Sequence, residues 1–436
     1  MRLALVIAGI GVAWFGCFGT AAFGARAAHG EFVASRDGAI VVMNRAGRVT
    51  AHVTRRDADA GLLLSPDGRF VVFNRAFVNG LFVVPVSGGR VTRVTRPPGD
   101  FKRAAMDREP AWSPDARRIA FVRTRWIGSR RFRTQLLVVD RDGGNVRTLV
   151  DRRGASPDFN LFLSWSPDGR TLAAVLSCRL VLIDAATARR RLVTPAGVCA
   201  NSPIWSPQGD RLLVHLSPLE DASPGRVAMI DRATGAEVDI PGCDRRCESG
   251  SFSPDGSEVA LALPDEIATV DRSGLPSELF ACTDCSVGPW TPTGDRFLVM
   301  RHPGGPPDPF TGGRATDLLL VREDGRSSTS LPGIPNSPTA TFPVAFSPTG
   351  DTLIAYRNVI AGSEEGPNLA IFDLETRGVI DLPLQIEFGG WLPGTLDRPR
   401  GPRLVGQVAR LEPEVADEAN TGRTQAARCL RSRRIA

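Results

Sequence analysis

The sequence is short of several residues on which common enzyme classes depend. It contains four histidines in 436 residues, and Lys102 is its only lysine. So few histidines exclude a metal centre built from several imidazoles, as in some lyases. There is also no Gly-x-Ser-x-Gly nucleophile elbow, no Walker sequence, no HExxH pair and no dinucleotide-binding fingerprint. The motifs of the usual hydrolases, nucleotide-dependent enzymes and zinc peptidases are therefore missing.

Long apolar runs are missing everywhere except at the N-terminus. Met1 and Arg2 are followed by 22 residues without a charge, and Ala25-Arg26-Ala27 then forms an A-x-A sequence. This order is typical of a secretory signal peptide, here residues 1–27. A run of this length is also long enough to remain as an uncleaved membrane anchor. We therefore expect an exported protein, periplasmic, cell-envelope or extracellular, that meets a membrane only through this segment.

One short phrase is repeated seven times. Each copy has an aromatic or bulky apolar residue, then Ser/Thr-Pro-x-Gly or a near variant, then an alternating apolar run. Successive prolines of the phrase lie 38 to 56 residues apart, a period typical of solenoids, propellers and arrays. The copies begin at Leu64, Trp112, Trp165, Trp205, Phe252, Trp290 and Phe346, with an eroded eighth at Trp391.

Each repeat unit contains four short β-strands. Proline at the second position of a tight turn presets its dihedral angle, and Asp or Gly tolerates the conformation that follows. In one unit, residues 118–122 and 136–140 are strand-like, and residues 145–150 follow a second turn. Four strands with turns between them and no helical periodicity predict one blade of a β-propeller. The aromatic residue before Ser-Pro is then expected to pack between blades rather than stack on a ligand.

These repeats resemble the WD40-like β-propeller repeat, called PD40, of TolB-type periplasmic proteins and prolyl oligopeptidase-like peptidases. The resemblance covers about residues 31–395. It implies a propeller fold and, from the TolB-like members, recruitment of protein partners at one face. TolB itself carries an α/β domain before its propeller, whereas blade sequence here is expected within a few residues of the signal. A Tol–Pal role is therefore not expected, and fold alone does not specify function.

The two ends of the repeat region are incomplete in complementary ways. Residues 31–54 contain the second, third and fourth strands of a blade, and residues 387–394 contain a first strand. Joined, they would form one composite blade that closes the ring and leaves few free edges. We predict an all-β protein, a single propeller of eight four-stranded blades, with seven as the alternative. Residues 396–436 are Pro/Arg-rich and then polar, and we expect a largely disordered tail.

Six cysteines are expected at one end of the propeller, in links between strands or between blades. Export to an oxidising compartment favours disulfides over free thiols. A zinc site built from the last four of them is the alternative. A redox-active pair at residues 282–285 is less favoured, because no helix N-terminus would lower its thiol pKa. We expect no metal and no cofactor. The disulfides we predict are Cys178–Cys199, Cys243–Cys247 and Cys282–Cys285.

Links expected at the same end as the cysteines vary most in length. The long ones are residues 96–110, 123–135, 217–226, 301–317 and 357–368. Recognition residues usually lie on such loops of a rigid scaffold. The link at residues 123–135 contains both arginines and aromatic residues, a combination that suits binding of acidic peptides, anionic glycans or phosphate. The alternative is an ordinary solvated hairpin. The candidate binding residues are Arg123, Arg125, Trp126, Arg130, Arg131, Phe132 and Arg133.

We predict a non-enzymatic binding or assembly module of the cell envelope. Its expected partner is an envelope or extracellular protein, or an anionic glycan, bound by a monomer. Nucleic acid is not expected outside the cytoplasm, despite the formal charge of +6. The alternative is a secreted hydrolase or lyase acting on a glycan or peptide in the central funnel. The two differ in whether ionisable side chains with perturbed pKa values converge there.

Overall fold

The described part of the chain is almost entirely β-strand and turn. Within it, no helix has the length and hydropathy needed to cross a bilayer. The predicted signal segment and tail lie outside the described residues. The computed structural model describes residues 30–55, 59–75, 78–99, 105–128, 131–154, 162–194, 197–218, 225–238, 240, 247, 249–302, 316–325, 327–331, 339–359, 368–382 and 386–393.

The first four blades follow the chain in order. The innermost strand of blade 1 is supplied by the last described strand of the chain. Blade 1 has β1 (Glu31–Arg36), β2 (Ala39–Asn44) and β3 (Val49–His52). Blade 2 has β4 (Asp59–Leu64), β5 (Phe70–Arg75), β6 (Val78–Pro85) and β7 (Thr92–Arg93). Blade 3 has β8 (Met106–Trp112), β9 (Arg118–Gly128), β10 (Arg131–Asp140) and β11 (Arg147–Gly154). Blade 4 has β12 (Leu163–Trp165), β13 (Thr171–Leu176), β14 (Arg179–Asp184) and β15 (Arg190–Leu192).

The remaining blades repeat this plan. Blade 5 has β16 (Val198–Trp205), β17 (Arg211–Pro218), β18 (Arg226–Asp231) and β19 (Glu237–Val238). Blade 6 has β20 (Ser249–Phe252), β21 (Glu258–Ala262), β22 (Glu266–Asp271) and β23 (Pro276–Ala281). Blade 7 has β24 (Cys285–Trp290), β25 (Arg296–Arg301), β26 (Asp317–Arg322) and β27 (Ser328–Ser330). Blade 8 has β28 (Thr339–Phe346), β29 (Thr352–Val359), β30 (Asn368–Asp373) and β31 (Val379–Asp381), and β32 (Glu387–Trp391) follows it.

The two ends of the propeller share one blade. Strand β32 pairs antiparallel with β1, with Phe32 opposite Trp391, and the sheet order is β3-β2-β1-β32. Eight four-stranded sheets result among the described residues, which confirms the predicted eight-bladed propeller and its composite blade. The seven-bladed alternative was wrong, because the N-terminal strands pair as regularly as those of the other blades.

The core is divided among the interfaces between neighbouring blades. In the described part of the chain, eight clusters of buried apolar side chains occupy these interfaces. The cluster between blades 3 and 4, for example, joins Val122 and Leu136 to Trp165 and Leu172. Alternating side chains of each sheet therefore face opposite neighbours, and every blade is buried on both faces.

An aromatic residue at the end of the innermost strand joins each of five blades to the preceding one. The indole Nε1 of Trp165 donates to the carbonyl of Ala111, 3.1 Å away, and Trp205 donates likewise to Ser164. These rings pack between blades, as predicted. Trp112, Trp290 and Trp391 make the same bond to Leu63, Ser251 and Ala345.

The Ser-Pro-Asp-Gly turn is held by a repeated set of hydrogen bonds. In the first copy the Ser65 hydroxyl donates to Asp67 and accepts from the Phe70 amide, while the Gly68 amide donates to the Ser65 carbonyl. The turn is therefore specified locally, by its own side chains. The copies at Ser113, Ser166 and Ser253 make the same side-chain contacts.

The links emerge at two different ends of the propeller. Because adjacent strands are antiparallel, the links between first and second strands and between third and fourth strands lie at one end, which we call the turn face. The links between second and third strands and between successive blades lie at the other end, which we call the loop face.

Two turn glycines allow a matched test of blade contact. Gly68 and Gly294 have φ of 70° and 77°, so alanine is strained at both. A Cβ at Gly68 would overlap Pro393 of the neighbouring blade, whereas one at Gly294 would lie 3.5 Å from Pro254 Cδ. We expect Gly294→Ala to lower the free energy of unfolding by about 1–2 kcal/mol, and Gly68→Ala by about 1–3 kcal/mol more. Equal losses in denaturant unfolding would show that the proline contact does not constrain the ring.

Candidate functional site

Blade 3 has the longest set of strands among the described blades. Strands β9, β10 and β11 have 11, 10 and 8 residues, whereas the strands of blade 4 have six or fewer. We call residues 123–128, 131–135 and 151–154 the blade 3 projection. The sequence predicted a loop at 123–135, but the β9–β10 register continues to Arg131 opposite Gly128. Alternating Thr and aromatic residues favour this continued pairing.

One face of the projection is aromatic and looks toward blade 4. Trp126 lies opposite Phe132, and Phe132 lies opposite Gly154 on β11. These residues continue the alternation from Val122, which packs in the core between blades 3 and 4. Trp126 is 57% exposed. At the base of this face, the Arg152 side chain donates to the Ser177 hydroxyl of blade 4 at 3.1 Å.

The opposite face of the projection carries arginines in one row. Arg125, Arg133 and Arg153 lie directly opposite one another on three adjacent strands. Like charges placed opposite each other in a sheet are destabilising. Asp151 offsets part of this charge through an ion pair with Arg133. The Arg133 hydrogen bond lowers the pKa of Asp151, even though partial burial raises it.

Arg123 has a structural partner instead of a free guanidinium. It binds Asp107 through two bonds of 2.6 and 2.8 Å, and the Asp107 side chain is fully buried. Arg75 and Asp59 form the equivalent pair in blade 2. Arg123 therefore belongs to the base of blade 3.

The other predicted binding residues divide by exposure. Arg125, Trp126 and Arg131 are exposed, and Phe132 and Arg133 are half-buried. Arg130 lies outside the described residues. The structure thus places the exposed members on one three-stranded sheet, with Trp126 on one face and Arg125 on the other.

The five described cysteines lie on the loop face. Disulfides join Cys178 to Cys199, across blades 4 and 5, and Cys282 to Cys285, between blades 6 and 7. Cys247 is also disulfide-bonded, and its predicted partner Cys243 lies outside the described residues. The sulfurs of Cys282 and Cys285 are bonded to each other, which argues against the zinc alternative. In the described parts of the chain, no group of three or more His, Cys, Asp or Glu residues could hold a metal ion.

An arginine-lined cavity of about 310 Å³ lies on the turn face between blades 4 and 5. Arg232 in its wall donates to Asp168 and Thr171, and Arg191 donates to the Ala233 carbonyl. The cavity is therefore lined by side chains that form hydrogen bonds between adjacent blades. Arg147 makes similar bonds between blades 3 and 4.

The sequence analysis missed Glu109, on the innermost strand of blade 3. It lies in a β-bulge between Arg108 and Ala111, with φ of 52° and Pro110 after it. Burial raises the pKa of its carboxyl, against the opposing charge of Arg108, although the residue as a whole is exposed. A desolvated carboxyl on an exposed residue suits a strand that lines a channel. Bulges of this kind often redirect a side chain near a functional site, and a Glu-Pro pair inside a strand is the signal that could have indicated it.

A second carboxyl with a raised pKa is part of the ring closure. Glu387 on β32 accepts a hydrogen bond of 2.9 Å from the Gly61 amide of blade 2. Burial raises its pKa, while the amides of Gly61 and Leu62 oppose the shift. Glu387 therefore joins the composite blade to blade 2. Of the two carboxyls whose pKa is raised, only Glu109 has no hydrogen-bond partner among the described residues.

Glu109 gives a pH-dependent prediction. A carboxyl whose pKa is raised in the folded state binds its proton more tightly there, so its contribution to stability falls as pH rises through that pKa. Relative to Glu109→Gln, the wild type should therefore lose unfolding free energy as the pH rises above about 4, the ordinary range of a glutamate carboxyl. Asp255→Asn is a control of opposite sign at lower pH. The Ser257 amide and the Ser253 hydroxyl lower the pKa of Asp255, so the wild type should gain unfolding free energy relative to Asp255→Asn as pH rises to about 4. Denaturant unfolding from about pH 2 to pH 7 measures both trends, and parallel curves for Glu109→Gln and the wild type would contradict the first.

Comparison with known proteins gives partial matches. No known family profile matches the sequence. The uncharacterized peptidase YuxL of Bacillus subtilis is 28% identical over 180 residues, 39% of this chain and 25% of its own length. The uncharacterized protein Atu1656 of Agrobacterium fabrum is 34% identical over 116 residues, 26% of this chain and 37% of its own length. The chain thus spans well under two thirds of either relative.

Solved structures share the fold at low sequence identity. Dipeptidyl peptidase 4 of Porphyromonas gingivalis has a TM-score of 0.56 and 12% identity, covering 82% of this chain and 58% of that one. The dihydro-heme d1 dehydrogenase NirN has a TM-score of 0.54 and 16% identity, covering 84% and 76%. TolB from Acinetobacter baumannii, at 16% identity over 82% and 80%, has a TM-score of only 0.37. The chain is an eight-bladed β-propeller protein, and its membership of the PD40 repeat family stays a prediction.

Proposed function

We propose that the protein is an exported, non-enzymatic β-propeller that captures an envelope or extracellular protein on the blade 3 projection. The observation that carries the proposal is the exposure of Trp126 on a rigid sheet that also displays arginines. Tryptophan and arginine are among the residues that dominate interface hot spots. The Trp126 ring is more than half exposed, so a partner that covers it would remove a large apolar surface from water.

The scaffold supports this function because it holds the projection in place. The strands of the projection continue the hydrogen-bonded register of blade 3, so little conformational entropy remains to be lost on binding. On the turn face, by contrast, the side chains of the repeated turns bond to one another or to the next blade. The projection therefore offers preorganised contact groups, and the turn face stabilises the ring.

Replacing Trp126 and Arg131 by alanine should abolish partner capture. Both side chains are exposed, so the free energy of unfolding of the variant should lie within about 0.5 kcal/mol of the wild-type value. We expect at least about a tenfold loss of captured envelope protein, measured with immobilised protein and quantified against the wild type. The double variant Leu192→Ala/Arg190→Ala is a matched control, because it removes an exposed leucine and an exposed arginine on blade 4. Undiminished capture by the Trp126 variant, with loss in the control, would place the function elsewhere.

Acid–base catalysis in the central channel is a second candidate function, and Glu109 is the observation that favours it. A carboxyl with a raised pKa can act as a general acid, and such groups contribute about 10²–10⁴-fold to rate. Under this alternative, Glu109→Gln should lower turnover of a glycan or peptide by at least about 100-fold, measured as new reducing ends or amines. Under the binding proposal the same variant retains full capture, and the wild type releases neither product.

A further inference from the structure

The outer edge of blade 3 is unusually long for a propeller. The outermost strand β11 has eight residues, whereas β23 of blade 6 has six and the other outermost strands, β3, β7, β15, β19, β27 and β31, have two to four. Among the described strands β11 pairs with β10 alone, so its other side carries backbone groups that no described strand binds. Residues 151–154 of this strand are all exposed. Propellers normally keep such edges short, because an open edge pairs with another chain.

The charge beside this edge is unbalanced. Neighbouring strands are about 4.8 Å apart, so the three arginines of the outer row repel one another. Added negative charge next to Arg153 would relieve this repulsion. The edge therefore favours an acidic occupant. Two adjacent rows on the arginine face contain Arg123, Arg125, Arg133 and Arg153, against the carboxylates of Asp107 and Asp151.

The two faces beside β11 require different chemistry from one occupant. On one face Arg153 is exposed. On the other face Gly154, which has no side chain, lies opposite half-buried Phe132, and the side chain of Arg152 donates to Ser177 of blade 4. An added β-strand sends successive side chains to opposite faces, so it can present acids to one and apolar groups to the other. A glycan lying on one surface of the sheet cannot contact both sets. Polypeptide is therefore the better fit.

A second copy of this chain fits poorly at the same edge. Pairing β11 with β11 of another molecule would bring Arg152 and Arg153 of the two copies together. Cationic side chains on an edge strand are a known means of preventing such self-pairing. The same charges attract a strand of opposite sign.

We propose that β11 binds an extended segment of a partner protein, with alternating acidic and apolar residues, as a fifth strand of blade 3. This rests on the proposed function, because it specifies how the blade 3 projection would hold its partner. The acidic side chains lie beside Arg153 and Arg133, and the apolar side chains lie beside Phe132 and Gly154. Main-chain hydrogen bonds to β11 supply affinity that does not depend on the exact side chains.

Labelled synthetic peptides and the full-length protein test the proposal by fluorescence anisotropy. The probe is a short peptide of alternating glutamate and valine, and the control has the same composition with all glutamates placed before all valines. We expect the alternating peptide to bind at least about tenfold more tightly. The peptide can be N-methylated on either of two sets of alternate amides, which we call the two methylation phases. In an antiparallel or parallel partner strand only every second amide faces the edge of β11, so one phase should abolish binding and the other should leave it intact. Equal binding of the two peptides, or equal effects of both methylation phases, would overturn the proposal.

Variants and a glycan probe separate this inference from the proposed function. Arg153→Glu should weaken the alternating peptide at least about tenfold, while Arg170→Glu, an exposed site on the turn face, should not. Polygalacturonate should compete weakly, and binding as strong as the peptide's would show glycan recognition instead. If Trp126→Ala/Arg131→Ala abolishes capture of envelope protein but the methylation phases are equivalent, the proposed function stands and strand addition is wrong.

Discussion

The hydrogen bond from one blade's tryptophan to the preceding blade's innermost strand is the contact on which the ring depends. A propeller has no central core, so each blade must recognise its neighbour. The indole of Trp165 does this with a large apolar ring and one polar atom, which meets the carbonyl of Ala111. A hydrogen bond is directional, so the indole and this carbonyl can meet only in a narrow range of geometries. The bond therefore selects one alignment of adjacent blades from many that would bury similar area.

The turn after each innermost strand extends this contact to the end of the ring. Gly68 lies against Pro393 and Gly209 lies against Pro167, each in the preceding blade. Arginines of the third-to-fourth-strand turns then bind the same neighbour, as Arg232 binds Asp168. Because the turn face uses its side chains in this way, variation in length is left to the loop face. Blade 3 can therefore grow into a projection without disturbing the ring.

The functional proposals follow from that division. Arg123, with Asp107, fastens the base of the projection, whereas Arg125 and Trp126 are exposed further along the same strand. A partner that contacts the exposed groups therefore does not have to disturb the buried pair of Arg123 and Asp107. Glu109 lies on the innermost strand of the same blade, so blade 3 contains both the candidate contact surface and the carboxyl of the alternative function.

Local signals in the chain were enough to predict the blades, their number and the sharing of one blade by the two ends. These signals are a turn set by proline and glycine, strands of alternating side chains, and an aromatic or bulky apolar residue at a constant position in each unit. The folded chain was needed to show where the strands of blade 3 end, and therefore that Arg125, Arg133 and Arg153 form a row. It was also needed to show that Arg123 is paired and that Glu109 lies in a bulge. Cross-strand neighbours depend on register, which residues far apart in the chain establish together.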